Sequence, residues 1–117
     1  MTASFESTEY TPDSLVATNA ALLSGRKVTI KSGENLERGA VLGKDGDDKY
    51  LLSLSGATDG SETPDMILAE DVDASDGDAS ALAYERGDFR EDALILGADH
   101  TIASIREGLR GKGIFIV

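Results

Sequence analysis

Dense β patterning begins only after Gly25, and it comes as short apolar runs separated by glycine- and aspartate-rich turns. Pieces this short favour strands paired into a small body over long helices. Lys27–Lys31 alternates and predicts a strand, and Ser32–Asn35 predicts a turn. Leu36–Gly43 is a short apolar piece rich in glycine. Lys44–Lys49 is a second turn whose Asp45-Gly46 pair signals a hairpin, with the strand Tyr50–Leu54 leaving it. Gly56–Pro64 is a loop of turn formers, Met66–Val72 a further strand, and Asp73–Ser80 an acidic surface loop. Ala81–Phe89 predicts a strand in which Gly87 marks a bulge or bend.

One segment has a helical period. Ile102, Ile105 and Leu109 share a face within Asp99–Arg110, with Asp99 as the expected cap, Gly111 as the stop, and Arg106 and Arg110 near the C-terminal end. Gly108 inside it costs about 1 kcal/mol against alanine. The last residues, Ile114–Val117, form an apolar strand expected to be paired in the sheet or buried between subunits.

The first residues differ from all of this. Met1–Thr11 is polar, with single aromatics at Phe5 and Tyr10, and Pro12 follows. The expected organisation is an extended, flexible N-terminal arm over residues 1–24 and a compact β domain over 25–117. An arm of this kind suits a protein that fastens itself to something larger, losing chain entropy on binding.

Composition narrows the function. The 117 residues suit one domain. With three Phe, three Tyr and no Trp, the core must come from Leu, Ile, Val and Ala. Cysteine is absent, which excludes disulfides and thiolate metal sites and fits a reducing compartment. No run reaches the ~18 apolar residues of a membrane span, and no signal-peptide pattern is present, so a soluble protein made in the cytoplasm is expected. The net charge is -11, concentrated between Asp59 and Asp92, where twelve acids face two bases. Such a surface repels nucleic acid.

Catalytic and metal-binding patterns fail one by one. His100 is the only histidine, and its neighbours Asp99 and Ser104 do not make a triad along one helix. A calcium loop counted from Asp71 would need Gly at its sixth place and Glu at its twelfth, where Asp76 and Leu82 stand. Gly108–Gly113 lacks the spacing and the hydroxyl of a phosphate loop. No catalytic, cofactor or metal residue is assigned, and no enzymatic activity is expected.

Four strings occur in a telling order: Tyr10–Leu15, Gly33–Gly43, Tyr50–Ser55 and Ile67–Asp73. Together they resemble the head decoration proteins of tailed bacteriophages, the family of the lambda and phage 21 decoration proteins. The resemblance runs from about Tyr10 to the final Ile-Phe-Ile-Val. It implies a mainly β fold with one short helix, a small β-tulip-like body carrying an extended arm. It also implies a capsid decoration (cement) protein, a homotrimer on the outer capsid surface of the virion. Such trimers sit at three-fold and quasi-three-fold sites of the expanded head, bind the major capsid protein, and stabilise the head against packaged DNA. No membrane or nucleic acid partner is implied.

Within that reading, Phe5, Tyr10, Thr11, Pro12, Leu15 and Val16 are the expected capsid-binding residues, since apolar and aromatic groups carry most interface energy. The expected trimer contact is the late apolar set Ile102, Ile105, Leu109, Ile114, Phe115 and Ile116. The alternative is a small acidic β-type ligand- or Ca-binding module using the carboxylates of Asp71–Asp78. The shortage of exposed-type aromatics argues against a sugar binder.

Overall fold

The computed structural model describes residues 15–17 and 23–117. Its elements are β1 (Ser24–Ile30), β2 (Asn35–Leu36), β3 (Val41–Lys44), β4 (Tyr50–Leu52), β5 (Pro64–Leu68), β6 (Val72–Asp73) and β7 (Ala79–Phe89). The helix α1 (Ile102–Arg110) and the strand β8 (Ile114–Ile116) follow. The body is mainly β with one short helix, as the sequence predicts.

Five strands close into a small barrel. β1 lies antiparallel to β7 along its whole length, from Ser24 opposite Arg86 to Ile30 opposite Ala79. β7 pairs with β5, β5 with β3 and β3 with β4, all antiparallel. One parallel step completes the ring, where Ile30 stands beside Tyr50 and the Lys31 amide donates to the Tyr50 carbonyl at 2.8 Å. Closure leaves the barrel strands without an open edge. β8 lies parallel to the distal end of β7, Gly87–Phe89 against Ile114–Ile116. β2 and β6 form a separate two-stranded ladder.

Two apolar clusters result. The inner one fills the barrel with Val28, Ile30, Leu42, Tyr50, Met66, Leu68 and the small Ala81 and Ala83. The outer one lies between the barrel wall and α1 with β8, and contains Val41, Ile67, Phe89, Ile105, Leu109 and Ile114. β3 and β5 contribute to both, Leu42 inward and Val41 outward, Met66 and Leu68 inward and Ile67 outward. Strands covered on both faces read as unbroken apolar runs, which is why these segments do not alternate.

β7 changes face partway along. One step on β1, Ser24 to Gly25, spans two on β7, Arg86 to Tyr84, so Glu85 is the extra residue of a β-bulge. Tyr84 and Phe89 are five residues apart and would oppose each other on an uninterrupted strand. With the bulge both join the outer cluster, their ring centroids 5.4 Å apart. The irregularity expected at Gly87 therefore occurs two residues earlier.

The apolar piece Leu36–Gly43 and the predicted strand Met66–Val72 each contain a break between two strands, at 37–40 and at 69–71. Arg38 holds the two breaks together. Its amide donates to the Asp71 carboxylate and its guanidinium to the Ala69 carbonyl, both at 2.8 Å, and a further bond reaches the Tyr84 hydroxyl.

The helix begins later than expected. Thr101, not Asp99, is the cap, and the Thr101 and Ser104 side chains bond each other's backbone amides reciprocally. Asp99 instead adopts a left-handed backbone, φ 68°. Gly111 ends the helix with right-handed geometry, φ -64°.

Two loops are pinned to the barrel by backbone contact and by carboxylates. A Cβ at Gly43 would overlap the Ser61 carbonyl, so only glycine lets the 53–63 loop lie against β3. In the 45–49 turn the Asp45 side chain, 6% exposed, accepts from the Asp47 and Lys49 amides and pairs with Lys31 at 3.1 Å. The left-handed residue there is Asp48, so the turn is longer than a two-residue Asp-Gly hairpin. The Lys49 amide chiefly holds the Asp45 carboxyl below its ordinary value of 3.8. Asp59, Asp73 and Asp78 are lowered too, the first two by their bonds to Ser61 and Ser75, the third by Lys49. Lys31 and Lys49 are raised by their partners Asp45 and Asp78.

A carboxylate lowered in the folded state stabilises the fold above its unfolded value and loses that contribution as pH falls through the folded value. Thermal stability is therefore expected to fall as pH drops below about 4, with a second decline above about pH 10 as the raised lysines lose their protons. Asp45→Asn should lower the melting temperature at pH 7 and flatten the acid limb; a melt series over pH reads both. Gly43→Ala should cost about 3 kcal/mol or more in urea unfolding, through displacement of the 53–63 loop.

Candidate interaction surface

Both described ends of the chain flank the distal end of β7. On one side Val16 bridges Phe89 in antiparallel fashion: the Ala17 amide donates to the Asp88 carbonyl at 3.0 Å and the Arg90 amide to the Leu15 carbonyl at 2.8 Å. On the other side the Val117 amide donates to the Phe89 carbonyl at 2.8 Å, and the Glu91 amide returns a bond to the Val117 carbonyl at 3.0 Å. Followed from Ala17 to Leu15, the N-terminal segment runs beside β7 toward Arg90. It points at the short 3-10 turn Glu91–Ala93. Leu15 reaches Gly39, so its side chain lies between β7 and the 38–40 turn.

Of the expected capsid-binding residues, Phe5, Tyr10, Thr11 and Pro12 lie outside the described residues. Leu15 is 1% exposed inside the outer cluster, and Val16 packs against it half-buried. These two side chains are occupied by the body, although they stand within the 1–24 arm expected from sequence, and Ser24 already belongs to β1. Of the expected trimer set, Ile105, Leu109, Ile114 and Ile116 are buried within the single chain, where α1 packs on β8. Ile102 is half-buried, and Phe115 is exposed at 43%.

A second surface feature lies beside the 38–40 turn. Leu36, Ala40, Leu52 and Ile95 line a shallow groove whose rim carries Asn35 and Glu37. It forms because the chain after the 3-10 turn lays Ile95 parallel to Ala40: the Ile95 amide donates to the Gly39 carbonyl and the Val41 amide to the Ile95 carbonyl, both at 3.0 Å. This ties Ile95 in place while its side chain stays 38% exposed. Sequence reading missed the groove, because its walls come from β2, β4 and the irregular 94–97 stretch. The apolar triplet Leu94-Ile95-Leu96 was its one visible trace.

The residues weighed for chemistry have structural partners. His100 Nε2 lies 3.0 Å from Ser53 Oγ, a contact to a serine 47 positions away and not to Ser104. Ser53 Oγ donates its proton to the Ser61 carbonyl at 2.7 Å, so the histidine acts as donor here, the reverse of a base activating a nucleophile. Gly97 packs directly on the Ser53 carbonyl and completes this seam. Ser104 bonds Thr101 at the start of α1.

Among the acids of 71–78, Asp71 holds the Arg38 amide, Asp73 the Ser75 amide, and Asp78 both the Ser32 amide at 2.8 Å and Lys49 at 2.8 Å. Glu34 and Glu70 likewise accept from the Leu52 and Leu82 amides. Among the described residues no three metal-ligating side chains converge, and no helix is long and apolar enough to cross a membrane. Much of the acidity thus serves to satisfy backbone amides that loops leave unpaired.

The geometry is that of a small barrel with residues 15–17 bonded beside β7 and with Ile95 and Phe115 exposed on its surface. No curated protein matches the chain. A family model described as bacteriophage lambda head decoration protein D matches residues 4–114, nearly the whole of the 117 residues. The chain therefore belongs to the bacteriophage lambda head decoration protein D family.

Proposed function

We propose that this protein binds the outer surface of the expanded phage head as a homotrimer at three-fold and quasi-three-fold sites, and stabilises the head against packaged DNA. Family membership carries the coarser part, a structural role in capsid decoration on the virion. The finer part rests on the chain's build. The single observation that supports it is the anchoring of residues 15–17 beside β7, a fixed attachment on the body for the N-terminal arm proposed from the sequence.

Phe5, Tyr10, Thr11 and Pro12 are the proposed contacts to the major capsid protein, with Leu15 and Val16 as the anchor that transmits the load into the outer cluster. An arm pairing by its backbone gains affinity from main-chain hydrogen bonds and register from side-chain pockets. Of the six residues expected between subunits, Phe115 and Ile102 are proposed to meet the neighbouring copy, and Ile105, Leu109, Ile114 and Ile116 support them from beneath. A clamp of this kind requires no catalytic group, cofactor or metal.

The arm and its anchor are separable by experiment. Deleting residues 1–14 should leave a folded body that no longer co-pellets with expanded, undecorated heads of the encoding phage; undiminished co-pelleting would remove the arm mechanism. Leu15→Ala, with the arm intact, should instead cost about 2–4 kcal/mol of stability because it empties a buried site. For the subunit contact, Phe115→Asp is expected to leave the circular dichroism spectrum unchanged and to shift capsid-bound protein away from three copies per site. An unaltered stoichiometry would place the contact elsewhere.

A further inference from the structure

Three aspartates in this chain stand directly before glycine, at Asp45-Gly46, Asp59-Gly60 and Asp76-Gly77. Such a pair can react with itself. The glycine amide nitrogen attacks the aspartate side-chain carboxyl carbon, unobstructed because glycine has no Cβ. The new N–C bond closes a succinimide ring, and the carboxyl hydroxyl leaves with the amide proton as water. A second water then opens the ring. Attack at the side-chain carbonyl restores aspartate. Attack at the main-chain carbonyl breaks the original peptide bond and leaves isoaspartate, in which the chain runs through the side-chain carbon. Water is the only co-reactant, and the composition is unchanged. The reaction needs a carboxyl free to turn onto the next amide, and protonated part of the time so that water can leave.

The fold withholds those conditions at two of the three. The buried Asp45 carboxylate accepts from the Asp47 and Lys49 amides and pairs with Lys31. Asp59 accepts from the Ser61 amide and hydroxyl, and the Gly60 amide that would attack it donates to Glu62 at 2.9 Å. These bonds hold both carboxyls below their ordinary value, Asp45 chiefly through the Lys49 amide and Asp59 chiefly through the Ser61 hydroxyl, which favours the unreactive ionised form. Asp76 differs. Its side chain is exposed, and it has no hydrogen bond or ion pair among the described residues. The Gly77 amide makes one turn bond, to the Ala74 carbonyl at 3.2 Å, the long end of the normal range. Nothing lies within 4 Å of where a Gly77 Cβ would stand, so a ring has room to form.

The place of the pair gives the reaction a consequence. Its loop is anchored on both sides. Before it, the buried Ala74 donates its amide to the Glu34 carbonyl at 2.7 Å and accepts from the Gly33 amide at 2.8 Å. After it, Asp78 accepts from the Ser32 amide and pairs with Lys49, each at 2.8 Å. Asp76-Gly77 is the tip between these anchors. We infer that Asp76 is a site of spontaneous isoaspartate formation in the native protein, selected over Asp45 and Asp59 by the fold, and that the added main-chain carbon loosens the Asp78 clamp. The inference is independent of the capsid-binding reading. The modification accumulates with the age of the molecule and marks it.

The test ages the full-length protein at neutral pH over weeks, one sample folded and one in guanidinium chloride. Each Asp-Gly peptide is then scored for isoaspartate by electron-transfer mass spectrometry. In the folded sample, isoaspartate at 76 should exceed that at 45 or 59 by about tenfold or more, because bonds to a charged acceptor must break first at the other two. In denaturant the three pairs should convert at comparable rates. An even distribution in the folded sample, a greater yield at 45 or 59, or none at 76 would overturn the inference. So would a preference for 76 that persists unchanged in denaturant, which would assign the selection to local sequence. Asp76→Glu keeps the charge and removes the spacing that closes the ring. The aged parent should melt below fresh protein, and aged Asp76→Glu should melt as it did when fresh. Equal melting of aged and fresh parent after conversion at 76 would overturn the link to the Asp78 clamp.

Discussion

The bulge at Glu85 is the constraint on which the rest depends. β7 begins as a barrel strand, with Ala81 and Ala83 small enough to let the ring close tightly. One extra residue then turns its second half outward, so that Phe89 fills the layer beneath α1. Without that turn Phe89 would face the other way, and the helix, β8 and the N-terminal segment would lose the large side chain around which they gather. The same stretch of β7 carries both flanking segments on its two edges. A single strand therefore couples the barrel to residues 15–17 on one edge and to β8 on the other.

Residues 15–17 are held to the body by main-chain hydrogen bonds to Asp88 and Arg90 and by the Leu15 side chain sunk in the outer cluster. The acids contribute in an unexpected way. Although the charge of -11 reads as a solvated surface, Asp45, Asp71, Asp73 and Asp78 each accept from backbone amides in turns. The loops are held by ionised acceptors as well as by packing, which ties loop order to acid pH.

Several elements were legible from residues alone. Lys27–Lys31 alternates because only one face of β1 is covered, and the Ile102, Ile105 and Leu109 spacing reports the helix face that packs on β8. The breaks in Leu36–Gly43 and Met66–Val72 were not legible. They depend on Arg38 reaching the Ala69 carbonyl and the Asp71 carboxylate, a relation across more than thirty positions. Asp99 seemed the better cap by residue type, yet its left-handed backbone removes it from that role and leaves Thr101. The pairing of His100 with Ser53 had no local signal at all.

The sequence by itself determined the class of the fold, its single helix, the strand-and-turn rhythm of the body and, through ordered strings, the family. These follow from local propensity and periodicity, which neighbouring residues express without knowledge of the rest of the chain. Tertiary structure alone decided which apolar residues are used up inside the protomer. Leu15, Ile105, Leu109, Ile114 and Ile116 look like interface residues in the sequence and are core residues in the fold. Ile95 carries no such mark and stays exposed in a groove. Burial is set by contacts between residues distant along the chain, and hydrophobicity is the same property whether it is spent on a core or kept for a partner.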